Sequence, residues 1–227
     1  MGTLPRVNPF SVRFVEPGAI PYHHPGGLTE LAKRFEAAGG WGEIVGPHGS
    51  GKSTLLASLL PHLTGWTVRR VRLTTSERAL PVDLWPLPGP RPLLVIDGFE
   101  QLGWLMRRRV MRVCRRAGAG LLVTTHRSVG LPLLHRTDVT PAALTWVLAR
   151  LLPADAAAML SGFDAAVRLR AHRGSLRDVL FELYDRWEAG TVPPGSAARG
   201  GATNPLHSRV SSPSPDDPLT DSPCSPS

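Results

Sequence analysis

Residues 46 to 54 read Gly-Pro-His-Gly-Ser-Gly-Lys-Ser-Thr, "GPHGSGKST". Trp41 to Val45 precedes this stretch and reads as a short strand, and the apolar Leu55-Leu56-Ala57 follows it. Three glycines, one lysine and two hydroxyls therefore lie between two segments that favour burial. Gly46, Gly51, Lys52 and Ser53 match G-x-x-x-x-G-K-[ST] in full, in the setting the motif requires, after a strand and at the start of a helix. Glycines let the backbone curl around an anion with its N–H groups turned inward. The helix that begins near Ser53 adds the positive end of its dipole.

The spacing predicts a nucleotide-phosphate loop built by Gly46, Pro47, His48, Gly49, Ser50, Gly51, Lys52, Ser53 and Thr54. Lys52 reaches the β- and γ-phosphates of ATP, and the Ser53 hydroxyl ligates Mg²⁺. Thr54 adds a phosphate contact. The only lysines in the chain are Lys33 and Lys52. Arginine is forked and bulky where this loop needs a compact point charge, so a lysine at 52 in an arginine-rich chain supports the reading. Such a loop calls for a second acidic site at the end of a neighbouring buried strand. "PLLVID", residues 92 to 97, ends at Asp97. Asp97 holds Mg²⁺ through water in this reading; the alternative is an acidic cap on the following helix. Glu100 either orients and deprotonates an attacking water or opposes the helix dipole as a first-turn carboxylate.

Outward from these motifs, strands are expected at 66–73, 92–97, 120–126 and 131–134, with helices at 28–38, 53–63 and 100–116. Pro61 should kink or end the second of these helices. In the third, Leu102, Met106, Val110 and Val113 form one apolar face and arginines occupy the rest. Continuous apolar strands alternating with helices mean a parallel sheet covered on both sides. From Thr140 onward the pattern is helical only, at 141–152, 154–171 and 175–188. The expected organisation is a core over 1–138 with an irregular segment at 1–27, a three-helix lid over 139–188 and a tail over 189–227. The tail is rich in proline and serine with no aromatic residue, and is expected to be disordered.

The chain has 227 residues, 42% of them apolar, with a net charge of +8. That is ample for a hydrophobic core, and the basic surface attracts polyanions. Two cysteines, Cys114 and Cys224, make neither a disulfide framework nor a zinc site, and fit a reducing, cytoplasmic setting. No signal peptide is evident, and no apolar run approaches the roughly 20 residues that span a bilayer.

The stretches "GPHGSGKST", "LLVIDGFEQL", "LLVTTHR" and "GSLRDVLFELYD" together resemble the AAA+ and STAND branch of P-loop NTPases, over residues 41 to 188 and in the family's order. The resemblance implies an α/β fold: a parallel β-sheet P-loop NTPase core sandwiched by helices, followed by a small all-helical lid. It places a polar sensor of the γ-phosphate at the end of the strand after the acidic one, where Thr124, Thr125 and Arg127 stand; Thr125 is the chosen candidate. It also implies a lid arginine that reaches back to the phosphates, and Arg177 in Gly174-Ser175-Leu176-Arg177 occupies that place. Arg177 is equally readable as a solvated helix-face residue. One position departs from the family. Many AAA+ members carry the catalytic glutamate directly after the aspartate, and here Gly98 stands there. This puts rapid hydrolysis in doubt, though not nucleotide binding.

Other features weigh less. Ile20 and Tyr22 in "PGAIPY" stand where related ATPases cover the adenine. His23-His24 has no further ligands at metal spacing and reads as loop. The helix carrying Arg107, Arg108, Arg109, Arg112, Arg115 and Arg116 faces solvent, an acidic partner or nucleic acid. The leading expectation is an ATP-binding switch or ATPase with Mg²⁺, its output carried by a protein partner or a homo-oligomer. The alternatives are a small-molecule kinase, or a nucleic-acid-associated module that ATP modulates. A GTPase is disfavoured because no Asn-Lys-x-Asp motif occurs.

Overall fold

The computed structural model describes residues 8–11, 16, 18–152 and 162–189. All of these belong to one compact unit spanning residues 1–195. Helix α1 (Leu28–Ala37) sets Leu31, Ala32 and Phe35 on its buried side, at the i, i+1 and i+4 positions that share a helical face. It gives way at Gly39 and Gly40, whose φ values of 69° and 78° lie in the left-handed region. Strand β1 (Trp41–Val45) follows, then the loop 46–51 and helix α2 (Lys52–Leu59). The helix expected to run to residue 63 passes into a 3₁₀ turn over Leu60–His62, where Pro61 supplies no N–H for a further helical bond.

Strand β2 (Thr67–Arg72) leads through the proline-rich connection to β3 (Pro92–Asp97). The helix expected from Glu100 divides into a 3₁₀ turn, Phe99–Gln101, and helix α3, Trp104–Arg116. Strand β4 (Gly120–Thr125) and strand β5 (Leu133–Arg136) complete the sheet, the last two residues later than the expected 131–134. The order is β2-β3-β4-β1-β5, with every pairing parallel. This is the α/β architecture, a parallel sheet covered by helices on both sides, that the sequence implies.

Position in the sheet accounts for the composition of each strand. Edge strand β2 is mostly open to solvent, so it tolerates Arg69, Arg70 and Arg72, and of its two valines only Val71 is buried. Central β4 is buried at every residue and is wholly uncharged. Successive residues feed opposite cores. Leu93, Val95 and Leu122 pack with Ile44, Leu55, Leu56 and Leu59 on one face. Leu94, Ile96, Leu121 and Val123 pack with Val110, Cys114 and Phe99 on the other.

Helix α3 buries a narrower face than expected. Val110 and Cys114 are its buried residues, and Leu102 is buried just ahead of it. Met106 stands exposed with Trp104 and Leu105. Beyond β5, helices α4 (Pro141–Leu151), α5 (Ala165–Ala171) and α6 (Leu176–Glu188) form a third core with Phe10. Of the helix expected over 154–171, residues 154–161 lie outside the described residues, as does the tail from residue 190.

Burial pushes the Cys114 thiol up to about 12, against a small opposing backbone hydrogen bond. In a Cys224→Ser background, Cys114 is expected to resist an aromatic disulfide reagent at pH 8 until denaturant is added. Rapid labelling of the native protein would contradict this packing of α3.

Candidate functional site

The loop is fixed first at its base. The Val45 carbonyl accepts from Thr137 N–H at 2.8 Å, and Gly46 N–H donates to the Thr125 carbonyl at 3.1 Å. A Cβ on Gly46 would stand 2.0 Å from Thr137 Oγ1 and 2.6 Å from the Thr137 carbonyl. Only glycine fits there. Ser50 Oγ donates to the Pro47 carbonyl at 2.8 Å and pairs with Thr137 Oγ1 at 2.6 Å. Gly49 (φ 71°) and Gly51 (φ 87°) then turn the chain in the left-handed region. Among the described residues no backbone carbonyl accepts from the amides of Gly49, Gly51, Lys52 or Ser53.

Lys52 is buried at the start of α2, and its ammonium donates to the carbonyls of Gly46 (2.8 Å) and Pro47 (2.7 Å). Burial draws its pKa below the ordinary lysine value, and the carboxylates of Glu100 and Asp97 oppose that shift. The next residue, Ser53, donates its hydroxyl to Asp97 Oδ1 at 3.0 Å. Thr54 is half-buried in the first turn of the same helix.

Asp97 ends β3, and β4 lies between β3 and the loop-bearing β1. Thr124 Oγ1 donates to Asp97 Oδ1 at 2.7 Å and accepts from Gly98 N–H at 2.8 Å. Asp97 Oδ2 is buried with no hydrogen-bond partner, and the Arg70 guanidinium stands 3.7 Å from it. The acidic-cap alternative for Asp97 does not hold, because neither the turn at 99 nor α3 has a side-chain cap. Gly98 has φ 88°, and a Cβ there would stand 2.5 Å from the Leu73 carbonyl. The chain therefore cannot carry a glutamate directly after Asp97 without moving Leu73, the residue that follows β2.

The carboxylate comes from Glu100 instead. It precedes α3 rather than sitting in its first turn. Its Oε1 lies 3.1 Å from His126 Nε2, and its Oε2 is buried without a hydrogen-bond partner. Thr125 is fully buried, and its Oγ1 also lacks a partner. Arg127 is exposed. The His126 ring meets the His48 ring of the loop edge to face, with centroids 5.7 Å apart.

The third helical group reaches the loop at its tip. A Cβ on Gly49 would fall 2.3 Å from Ser175 Oγ and 3.5 Å from Arg177 Cβ. Ser175 caps α6 by accepting from Asp178 N–H. The exposed Arg177 thus starts its side chain beside the loop. Tyr22 packs on the other side, 3.3 Å from the place of a Gly51 Cβ, with its N–H donating to Ser58 Oγ at 2.8 Å.

Every loop residue expected from the sequence, together with Asp97, Glu100, Thr125 and Arg177, therefore gathers at the carboxyl ends of β1, β3 and β4. Sequence reasoning did not find Thr137, Arg70, His126 or Ser175. Only His126 had a visible signal, as the polar residue directly after Thr125. Asp97 Oδ2, Glu100 Oε2 and Thr125 Oγ1 are buried oxygens without partners, and Lys52 lies in the field of both carboxylates. This donor set suits a hard divalent cation and phosphate oxygens.

No protein-family model matches the chain, and no curated protein sequence matches it. Among solved structures it is similar to a single-residue variant of RuvB from Thermotoga maritima, at 18% identity and TM-score 0.48, over 74% of this chain and 63% of that one. The structure described as the Thermotoga maritima RuvB Holliday junction branch migration motor aligns at 18% identity and TM-score 0.47, over 73% of this chain and 62% of that one. The chain spans less than two thirds of the length of these proteins.

Burial draws the His126 imidazole below its ordinary value of about 6.5; Glu100 opposes that shift, and Lys52 and His48 reinforce it. Its NMR titration midpoint is expected below 6.5, lower still in Glu100→Gln and higher in His48→Ala. The sign is fixed by charge: removing the Glu100 carboxylate disfavours the His126 imidazolium, and removing the His48 ring that opposes it favours it. A midpoint that rises in Glu100→Gln would break the assigned contact.

Proposed function

We propose that the chain binds ATP and works as a Mg²⁺-dependent ATPase or nucleotide switch of the AAA+/STAND kind. The observation that carries this reading is the convergence of Lys52, Ser53 and Asp97 on one loop, with three unpartnered buried oxygens beside it. Amides of the loop and of the first turn of α2 receive phosphate oxygens. Lys52 exchanges its two carbonyl partners for the β- and γ-phosphates.

Ser53 and Asp97 would hold Mg²⁺, Asp97 through water. Among the described residues no group of three or more His, Cys, Asp or Glu could hold a metal alone. The cation's binding therefore depends on the phosphates, and when bound it neutralises charge on the β- and γ-oxygens. Glu100 takes a proton from water as the water oxygen bonds the γ-phosphorus and the bond to the bridging oxygen breaks. Thr125 holds that water or the γ-phosphate. Arg177, at the tip of the loop, senses the same group from the lid, so loss of the γ-phosphate releases the lid.

Among the described residues no helix is long and apolar enough to cross a membrane. We place the protein in the cytoplasm and assign its output to a homo-oligomer or a protein partner. Native mass determination with an ATP analogue and Mg²⁺ tests this, and an unchanged monomer would remove the oligomer.

Titration with a fluorescent ATP analogue tests the site itself. Lys52→Ala is expected to weaken binding at least thirtyfold, about 2 kcal/mol. Asp97→Asn should remove most of the gain from Mg²⁺ and leave the metal-free affinity. Glu100→Gln should keep binding and slow phosphate release on the order of a hundredfold or more. Undiminished binding by Lys52→Ala would overturn the nucleotide reading. Release that needs an added acceptor would replace hydrolysis with a kinase.

A further inference from the structure

Helix α3 carries a surface that the nucleotide site does not use. Trp104, Arg108, Arg112 and Arg116 recur every four residues. They form one row along the helix, successive members about 6 Å apart. Leu105, Arg109 and Val113 form the row beside it. Together the two rows line an open groove of about 500 Å³. Trp104 is 62% exposed and Leu105 73% exposed, on a helix whose opposite side is firmly packed.

Among the described residues, the charges of this groove have no internal counterpart. The helix, Trp-Leu-Met-Arg-Arg-Arg-Val-Met-Arg-Val-Cys-Arg-Arg, contains no acidic residue. Among the described residues, no carboxylate pairs with Arg108, Arg109, Arg112 or Arg116. Arg108 lies over the Trp104 ring at 4.7 Å, and Arg115 over Trp41 at 5.2 Å. Arg107 turns the other way and holds the carbonyls of Glu100 and Leu102, each at 2.7 Å.

We propose that this groove binds single-stranded nucleic acid, with phosphates along Arg108, Arg112 and Arg116 and a base stacked at Trp104. Three arginines in a row meet a regularly spaced polyanion. An exposed indole with a guanidinium against it supplies the flat, sequence-tolerant platform that unpaired bases use. A second copy docked through the same face would set arginine against arginine, which like-charge repulsion opposes. An acidic protein would satisfy the arginines and leave the indole without a specific role.

The test uses the full chain and fluorescein-labelled oligo-dT, with anisotropy read over a range of salt. The single strand should bind more tightly than a duplex of equal length. Arg108→Ala, Arg112→Ala and Arg116→Ala should each weaken binding and lower the salt slope by about 0.7. Trp104→Ala should weaken binding roughly tenfold at an unchanged slope, because it removes stacking and no charge. These residues are exposed, and retained binding of the ATP analogue verifies that each variant is folded. The proposal fails if Trp104→Ala binds as the parent does, or if duplex binds as well as single strand. It fails equally if polyglutamate displaces oligo-dT charge for charge, which would assign the groove to an acidic protein.

Discussion

The contact on which the site depends is the one between Gly46 and Thr137. The Gly46 backbone approaches Thr137 so closely that a single Cβ would stand 2.0 Å from its hydroxyl oxygen and 2.6 Å from its carbonyl oxygen. Thr137 is fully buried just past β5, where it ties the Val45 carbonyl to its own amide and its hydroxyl to Ser50. The exit of β5 thereby sets where β1 stops and the loop begins. Lys52 strengthens the same bend from within through the Gly46 and Pro47 carbonyls. Those bonds hold a buried ammonium that would otherwise lack a partner at short range. Phosphate, a stronger acceptor, has a ready claim on it.

The strand order makes this bend useful. Inserting β4 between β1 and β3 places Thr124 against Asp97, so the acidic group is oriented by two hydroxyls, Thr124 and Ser53, on one of its oxygens. The other oxygen is left facing only Arg70 at 3.7 Å, beyond hydrogen-bond reach. A carboxylate held this way is pre-aimed, which is the condition for binding a cation without first reorganising the site. Gly98 completes the geometry: its left-handed φ turns the chain off β3 and carries Glu100 to His126.

Elements whose signal is local were legible in the sequence. The motif at residues 46–54 is contiguous in the chain, and the apolar runs of β3 and β4 each reflect one strand's own burial. What the sequence concealed arises between elements. Thr137 and Ser175 are ordinary hydroxyls in isolation and matter only because β5 and α6 deliver them to the loop. The start of α3 differs from the expected one because Glu100 suits a first turn, whereas left-handed Gly98 and extended Gly103 force a 3₁₀ step before the helix. Its buried face was misread for a related reason. Periodicity alone allowed Met106 inward, yet the sheet reaches only as far as Val110 and Cys114, leaving Trp104, Leu105 and Met106 exposed.

The exposed face of α3 and the turn that carries Glu100 share one contact. Arg107 lies within the arginine run of α3, but its guanidinium grips the backbone of the turn that carries Glu100. Arg108, the next residue, points to the groove with Trp104. A ligand that shifts the first turn of α3 therefore pulls on the Glu100 carbonyl, two bonds from the Cα that bears its carboxylate side chain. Were both surfaces to bind ligands, linkage would require such coupling to act equally in both directions on the two binding free energies. In this chain it would be carried by a single side chain with two carbonyl partners, rather than by rearrangement of the sheet.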